Sequence, residues 1–293
     1  YDKHEAWRYT LISGLIPAIP LIVIRPFLPE SPDWERKKAA GTLRRPSIAE
    51  LFNSQLVKTT VVTTILFATT FGLAFGAIQQ TPQILAGQVD VNKMADAKLA
   101  AAKEAAEKEG TPIPEGRAKG IRGNAVTEIT AHVQSYQELG GLAGRFALAF
   151  LALRIASRRN LFRIFQIPSL ILIIGFYYWL SNNLKLADSL PMIQWAMFAC
   201  GFFVIGQMSF WGNYIPHAFP LHLRGTGESF AANIGGRVIG TAAAFITLTL
   251  SASTPPNPGK IALMGAYVAG AYAIVGFLLT FVLPEPKSDI GVD

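Results

Sequence analysis

An all-α integral membrane bundle of seven transmembrane helices is the fold class this sequence predicts, and three observations predict it. First, 51% of the 293 residues are hydrophobic and only 15% are charged, where soluble domains carry about a quarter charged residues. Second, the charges are segregated into a few stretches, and the mean hydropathy is +0.34. Third, seven runs approach the length of about 20 apolar residues that a bilayer crossing needs. None of them alternates with the period of two that barrel strands require, so they read as helices.

In chain order the runs are Tyr9–Leu28, Thr59–Ala86, Leu139–Ile155, Phe162–Ser181, Pro191–Gly212, Ser229–Ser251 and Ile261–Leu283. Leu139–Ile155 is the weakest, because Glu138 borders it and Arg145 interrupts it. Position 1 is Tyr and the first span begins almost at once, so the chain is expected to be a piece of a longer protein that lacks an N-terminal half. The single cysteine, Cys200, lies inside the fifth run, which rules out an intrachain disulfide and any C-x-x-C site.

Seven spans put the two ends on opposite sides of the lipid bilayer. One face carries thirteen Lys/Arg: Arg25, Arg36, Lys37, Lys38, Arg44, Arg45, Lys58, Arg154, Arg158, Arg159, Arg163, Arg224 and Lys287. The other carries six near its spans: Lys3, Arg8, Lys93, Lys98, Lys185 and Lys260. The positive-inside rule makes the first face, and with it the C-terminus, cytoplasmic, as in a multi-pass inner-membrane protein. The net charge of +7 follows from this bias and gives no reason to invoke nucleic acid.

The segment Gly87–Gln137 is a polar, extracytoplasmic insertion. "DAKLAAAKEAAEKEG" pairs Lys103 with Glu107 and Glu104 with Lys108 at i,i+4 and predicts a solvated helix. "GTPIPEG" breaks it, and a second short helix leads into the third span. The insertion reads either as a hairpin tolerated on a loop or as a lid over an outer vestibule. Pairs of small residues at Gly72/Gly76, Gly140/Gly144, Gly236/Gly240 and Ala266/Gly270 allow backbones to approach closely in lipid.

Polar groups inside spans are costly and nominate a solute site. Arg145 shares a helix face with Glu138, seven residues earlier, and Arg237 shares one with Asn233, four residues earlier. Each arginine reads either as a structural or snorkelling charge or as a cation lining a path for an anionic solute. Gln79, Gln80 and Gln83 cluster near the outer end of the second span, where Pro82 predicts a kink. Their amides suit a hydroxyl- or carboxyl-bearing small molecule, or bond neighbouring helices. Gln207, Trp211 and Asn213 form a weaker set, read as an interfacial anchor.

Enzyme chemistry and cofactors find little here. His217 and His222 stand five apart without a thiol or carboxylate pair at metal-ligand spacing, and no serine sits in a nucleophile elbow. "RGTGESF" lacks the preceding strand, third glycine and Lys-Ser/Thr of a phosphate loop. It reads as a cytoplasmic turn in which Thr226 or Ser229 caps the next helix.

Three short stretches carry a resemblance. "NYIPHAFPLHLRGTGES" resembles the junction after the tenth helix in the sugar-porter-like branch of the major facilitator superfamily. "FLPESPDW" (Phe27–Trp34) and "LPEPK" (Leu283–Lys287) resemble the motifs that follow its sixth and twelfth helices. The resemblance makes the spans equivalent to helices 6–12 of twelve. Residues 1–28 are then the last helix of the first half, 29–58 a cytoplasmic linker, 59–283 a six-helix half and 284–293 a tail. It implies two halves rocking around a central solute site in a symporter-like cycle coupled to a proton. It also implies a cytoplasmic latch that includes Glu30, Arg158, Arg159 and Arg224. The chain departs from the family pattern at His217 in place of Glu, Arg154 in place of Asp, Ser157 in place of Gly and Asp33 in place of Arg. Gln79–Gln80 match the sugar porters' glutamine pair, but Gln83 replaces the glycine that follows it. The expected solute is a sugar or an organic anion, and the rival class is a membrane sensor or scaffold whose hairpin binds a partner.

Overall fold

The structure is a computed structural model that describes residues 6–28, 32–42 and 44–285. Every regular element among the described residues is helical, and the chain divides into two compact units, Tyr1–Arg45 and Pro46–Asp293. The first unit holds α1 (Ala6–Ser13), α2 (Ala18–Ile24) and α3 (Pro32–Ala39). Pro17 lacks the N–H that would continue α1 into α2, so a turn separates them within one apolar span, Trp7–Phe27.

The second unit contains α4 (Val57–Gly76), α5 (Thr81–Leu85), α6 (Val89–Lys108), α7 (Glu115–Arg154), α8 (Arg158–Asn183), α9 (Leu190–Cys200), α10 (Phe210–Ala218), α11 (Arg224–Phe230), α12 (Ala242–Ser251) and α13 (Pro258–Leu279). Two stretches run as π-helix, Gly201–Ile205 after α9 and Ala231–Gly240 after α11. Counted as continuous rods, six helices among the described residues are long and apolar enough to cross a membrane. They are Trp7–Phe27, Val57–Leu85, Arg158–Asn183, Leu190–Ala218, Leu221–Ser251 and Pro258–Leu279.

The expectation of seven therefore meets a difference at the third run. Leu139–Ile155 is not a separate helix but the C-terminal part of α7, a single rod of 40 residues. Glu138, Arg145 and Arg154 keep its terminal stretch too charged to stand with the other six. The short second helix expected within the insertion does not exist on its own either. Ala118, Ala125, Ile129 and Val133 bury one stripe of α7, and α6 packs along it, so burial carries the helix through Gly116, Gly120 and Gly123.

The insertion is a fixed hairpin. Lys98–Glu128 (2.7 Å) and Arg122–Asp96 (2.6 Å) tie α6 to α7, and Glu104–Lys108 (2.6 Å) forms as the spacing predicts. At its base the Asp90 carboxylate accepts the backbone N–H groups of Asp188 (3.0 Å), Ser189 (3.0 Å) and Leu190 (3.3 Å), while the Gln88 amide donates to it at 2.9 Å. This clamp fastens the hairpin to the α8–α9 turn and argues against a lid that swings freely. Partial burial pushes the Asp90 pKa up, but the Gln88 amide and the three backbone N–H groups outweigh it, leaving it below its ordinary 3.8.

A group whose folded pKa is lowered stabilises fully above its unfolded value and loses that contribution as pH falls through the folded value. Asp90→Ala is accordingly expected to loosen the hairpin base by about 1–2 kcal/mol at neutral pH, after allowance for solvent screening. Its difference from wild type should shrink as pH falls from neutral into the acid range, through the lowered folded-state value of the carboxylate. Amide hydrogen exchange at residues 188–190, compared at neutral and acid pH, checks this. Equal protection in the two proteins at neutral pH would rule the clamp out.

Helices meet closely where the small-residue pairs stand. α4 packs against the 231–240 segment, α12 and α13, and α7 packs against α9 and residues 201–209. At the α7 interface a Cβ on Gly140 would lie 2.0 Å from the Phe198 carbonyl oxygen, and one on Gly144 would lie 2.1 Å from that of Phe202. The turn at Arg224 differs from expectation. α11 begins at Arg224, so Thr226 and Ser229 lie inside it, and its N-cap, Leu223, makes no side-chain cap.

Candidate functional site

The glutamine cluster stands at a break in the Val57–Leu85 span. α4 ends at Gly76, Ala77 leaves helical geometry (φ −125°, ψ −60°), and Ile78–Gln80 forms a 3-10 turn before α5. The cause is Pro82, which cannot donate an N–H back to Ile78, so the helix restarts one turn later. Two carbonyls freed by the break find new donors. The Gln80 side-chain amide donates to Phe75 O at 3.0 Å, and Thr247 from α12 donates its hydroxyl to Gly76 O at 2.8 Å. Gln80 is buried and holds the break. Gln79 and Gln83 are exposed on its outer side, with the Gln83 amide 3.4 Å from Gln80 Oε1. The expected kink is present, and its centre lies five residues before the proline.

Arg145 is exposed on α7, and among the described residues it makes no hydrogen bond or ion pair. Glu138 is exposed on the same helix and accepts from the Gln137 amide at 3.1 Å. Arg237 is exposed within the π-helical stretch 231–240, beside Gly235 and Gly236, which lie against α4. Asn233 spends its amide locally, donating to the Ser229 carbonyl at 2.8 Å. Among the described residues, no hydrogen bond or ion pair joins either arginine to the glutamines.

The sequence reading of Gln207, Trp211 and Asn213 as an interfacial anchor is overturned. Gln207 is 0% and Trp211 3% exposed, because this part of the span turns into the bundle. Trp211 stacks on Phe67 with ring centroids 4.1 Å apart and lies 5.7 Å from Phe162. Among the described residues, neither amide atom of Gln207 nor the indole N–H of Trp211 has a hydrogen-bond partner. Gln207 lies in the 3-10 turn Gly206–Ser209 that follows the π-helical 201–205, where the span changes its winding twice.

At the basic end, one carboxylate, Glu285, organises the turn between α7 and α8. Glu285 accepts from the Ser157 hydroxyl (2.6 Å) and from the backbone N–H groups of Arg158 and Arg159 (2.9 Å each). It thus binds the N-terminus of α8, where Ser157 is the N-cap. Arg159 Nε donates to the Leu283 carbonyl at 2.6 Å, and the Tyr214 hydroxyl donates to that of Pro284 at 2.9 Å. Burial raises the Glu285 pKa, but the Ser157 hydroxyl, the two N–H groups and the Arg159 charge outweigh it, so it lies below the ordinary glutamate range. Arg224 Nε reaches the Phe219 carbonyl at 3.4 Å, and His222 pairs with Glu50 at 3.0 Å. Glu30 lies outside the described residues. "LPEPK" flagged this tail in the sequence, but nothing local marked Glu285 as a cap for a helix 127 residues away.

A family model described as "Sugar (and other) transporter" matches residues 1–70. The chain is 25% identical over 287 residues, 97% of its length, to a protein of Cupriavidus pinatubonensis (strain JMP 134 / LMG 1197) named "Probable 4-methylmuconolactone transporter". It spans 55% of that relative's length. No solved structure matches the chain. The turn motifs, the apolar helices and these two matches agree: the chain is similar to multi-pass membrane transporters of the major facilitator type.

Proposed function

We propose that the protein to which this chain belongs is a secondary active transporter of a small polar metabolite, working by rocker-switch alternating access and coupled to a proton. The observation that carries this reading is the pair of exposed amides, Gln79 and Gln83, at a helix break inside a span that is otherwise mostly buried. A break of this kind presents polar side chains and backbone within a membrane span only where a cavity or partner receives them. In this reading Gln79 and Gln83 meet the solute, Gln80 positions them, and Arg145 or Arg237, with Asn233 nearby, recognises a negative charge.

Of the two solute classes, the exposed arginines favour an organic anion over a sugar. The solute in the relative's name, a small oxygenated ring compound, is compatible with such a site. Residues 1–28 would complete the N-terminal half, 59–283 would form the six-helix half, and α7 from Leu139 onward would supply the seventh crossing. The C-terminus would then face the cytoplasm of an inner membrane. The coupling carboxylate is expected outside this chain, since Glu138 and Glu228 both lie towards span ends.

The test is uptake of candidate organic acids by the full-length protein in proteoliposomes. Gln79→Ala and Arg145→Ala are each expected to lower uptake about 10-fold or more while leaving the melting temperature within a few degrees, as losses of about 1.4 kcal/mol or more in solute binding would. Unchanged uptake in both variants would remove this site. Full uptake after deletion of Gly87–Gly123 would set the sensor reading aside, and loss of all function by that deletion alone would favour it.

A further inference from the structure

We propose that the membrane-facing side of α8, at its basic end, seats one anionic phospholipid. The Arg163 guanidinium and the Asn160 amide meet the headgroup, and an isoleucine stripe lies along an acyl chain. A groove of about 420 Å³ is lined by Asn160, Arg163, Ile164, Ile167 and Pro168, all from α8. Arg163 is held in place there from the neighbouring helix. Its Nε donates to the Thr280 hydroxyl at 2.9 Å, and its guanidinium carbon lies 4.5 Å from the centre of the Phe281 ring. Its terminal nitrogens have no partner among the described residues, and the groove lining contains no carboxylate.

The stripe identifies the ligand as a lipid rather than a free anion. Ile164, Ile167, Ile171 and Ile174 follow one another along the same face, and all are exposed. From Arg163 to Ile174 the helix rises about 16 Å at 1.5 Å per residue. One leaflet of the hydrocarbon core is about 15 Å deep. A headgroup at Arg163 therefore places its chain along the whole stripe, while inorganic phosphate would leave the stripe unused.

The sign of the charge selects the lipid class. Arg154, Arg158, Arg159 and Arg163 crowd this end of α7 and α8, and the Glu285 carboxylate is already bound to the α8 N-terminus. A zwitterionic lipid would cover the stripe but would not neutralise the arginine. The positive-inside rule also puts this end on the leaflet that carries anionic lipids.

The experiment is native mass spectrometry of the full-length protein released from nanodiscs of phosphatidylcholine with a minority of phosphatidylglycerol. Wild type is expected to retain one phosphatidylglycerol preferentially. Arg163→Gln should weaken that retention about fivefold, the effect of roughly one basic side chain at a membrane surface. Arg163→Lys should keep most of it, and Thr280→Val, which removes only the positioning contact, should keep part. If Arg163→Gln does not fold, Ile164→Glu, which puts a carboxylate beside the headgroup, should lower retention similarly. Equal retention in wild type and the folded arginine or glutamate variant overturns the proposal. So does an equal loss from Arg154→Gln, a cation outside the groove, because the attraction would then be diffuse. Complete displacement of the lipid by inorganic phosphate would show a free-anion site and overturn it too.

Discussion

Gly144→Ala is expected to force α7 away from the Leu190–Ala218 span and to destabilise the bundle by about 3 kcal/mol or more, the upper end of overpacking penalties. The reason is geometric. A Cβ there would lie 2.1 Å from the Phe202 carbonyl oxygen, 2.8 Å from its carbon and 3.0 Å from its Cα, all backbone atoms that cannot rotate aside. Relief requires α7 to shift, and Gly140, one turn away and equally tight against Phe198, ties that shift to the next contact. Between membrane helices, loss of close packing is not offset by hydrophobic burial, because lipid tails are as apolar as the side chains they replace. Gly120 supplies the control. Nothing lies within 4 Å of its Cβ position on the same helix, so Gly120→Ala should stabilise α7 by up to about 1 kcal/mol. Melting of both variants in one detergent measures the contrast, and a Gly144→Ala protein that melts with wild type would disprove the interface.

Gln207→Met is expected to act in the opposite direction and raise stability by about 1–3 kcal/mol. The substitution keeps the volume and removes a fully buried amide whose oxygen and nitrogen both lack partners among the described residues. At about 2–4 °C per kcal/mol for a unit of this size, the melting temperature should rise by several degrees. An unpaired buried amide is retained where some other role repays its cost. On the proposed transport reading that role would be contact with solute or solvent during the cycle, so uptake by the same variant is expected to fall as its melting temperature rises. A stable variant with full uptake would make Gln207 a packing residue only, and a destabilised one would mean that its amide is already satisfied.

Sequence patterns carried the apolar spans and the family resemblance well, because both are local: a run of apolar residues, or a motif of a few residues at a turn. They failed where contacts span the chain. The third run looked like an isolated span because its charges and glycines interrupt the apolar signal, yet packing of Ala118, Ala125 and Ile129 against α6 makes it one helix with the insertion. The three glutamines were legible as a cluster, but a uniform 3.6-residue winding could not show that the break begins at Ala77 and turns Gln80 inward. The anchor reading of Trp211 relied on the usual place of tryptophan near span ends, and the winding changes between Gly201 and Ser209 were invisible to it. Asp90 and Glu285 each bind backbone about a hundred residues away, and no short-range pattern encodes that.

The unbroken length of α7 gives the molecule a lever arm. Its 40 residues make a rod of about 60 Å, roughly twice the thickness of the hydrocarbon core. The part outside the last apolar stretch, residues 115–138, is about 36 Å long at 1.5 Å per residue, so a tilt of about 10° at the membrane moves its far end by about 6 Å. The clamp at Asp90 makes the hairpin follow α7 and the α8–α9 turn together rather than absorb the tilt at a joint. A fluorophore at the hairpin tip, near Gly110, would thus amplify sub-nanometre rearrangements in the bilayer into displacements readable from outside it.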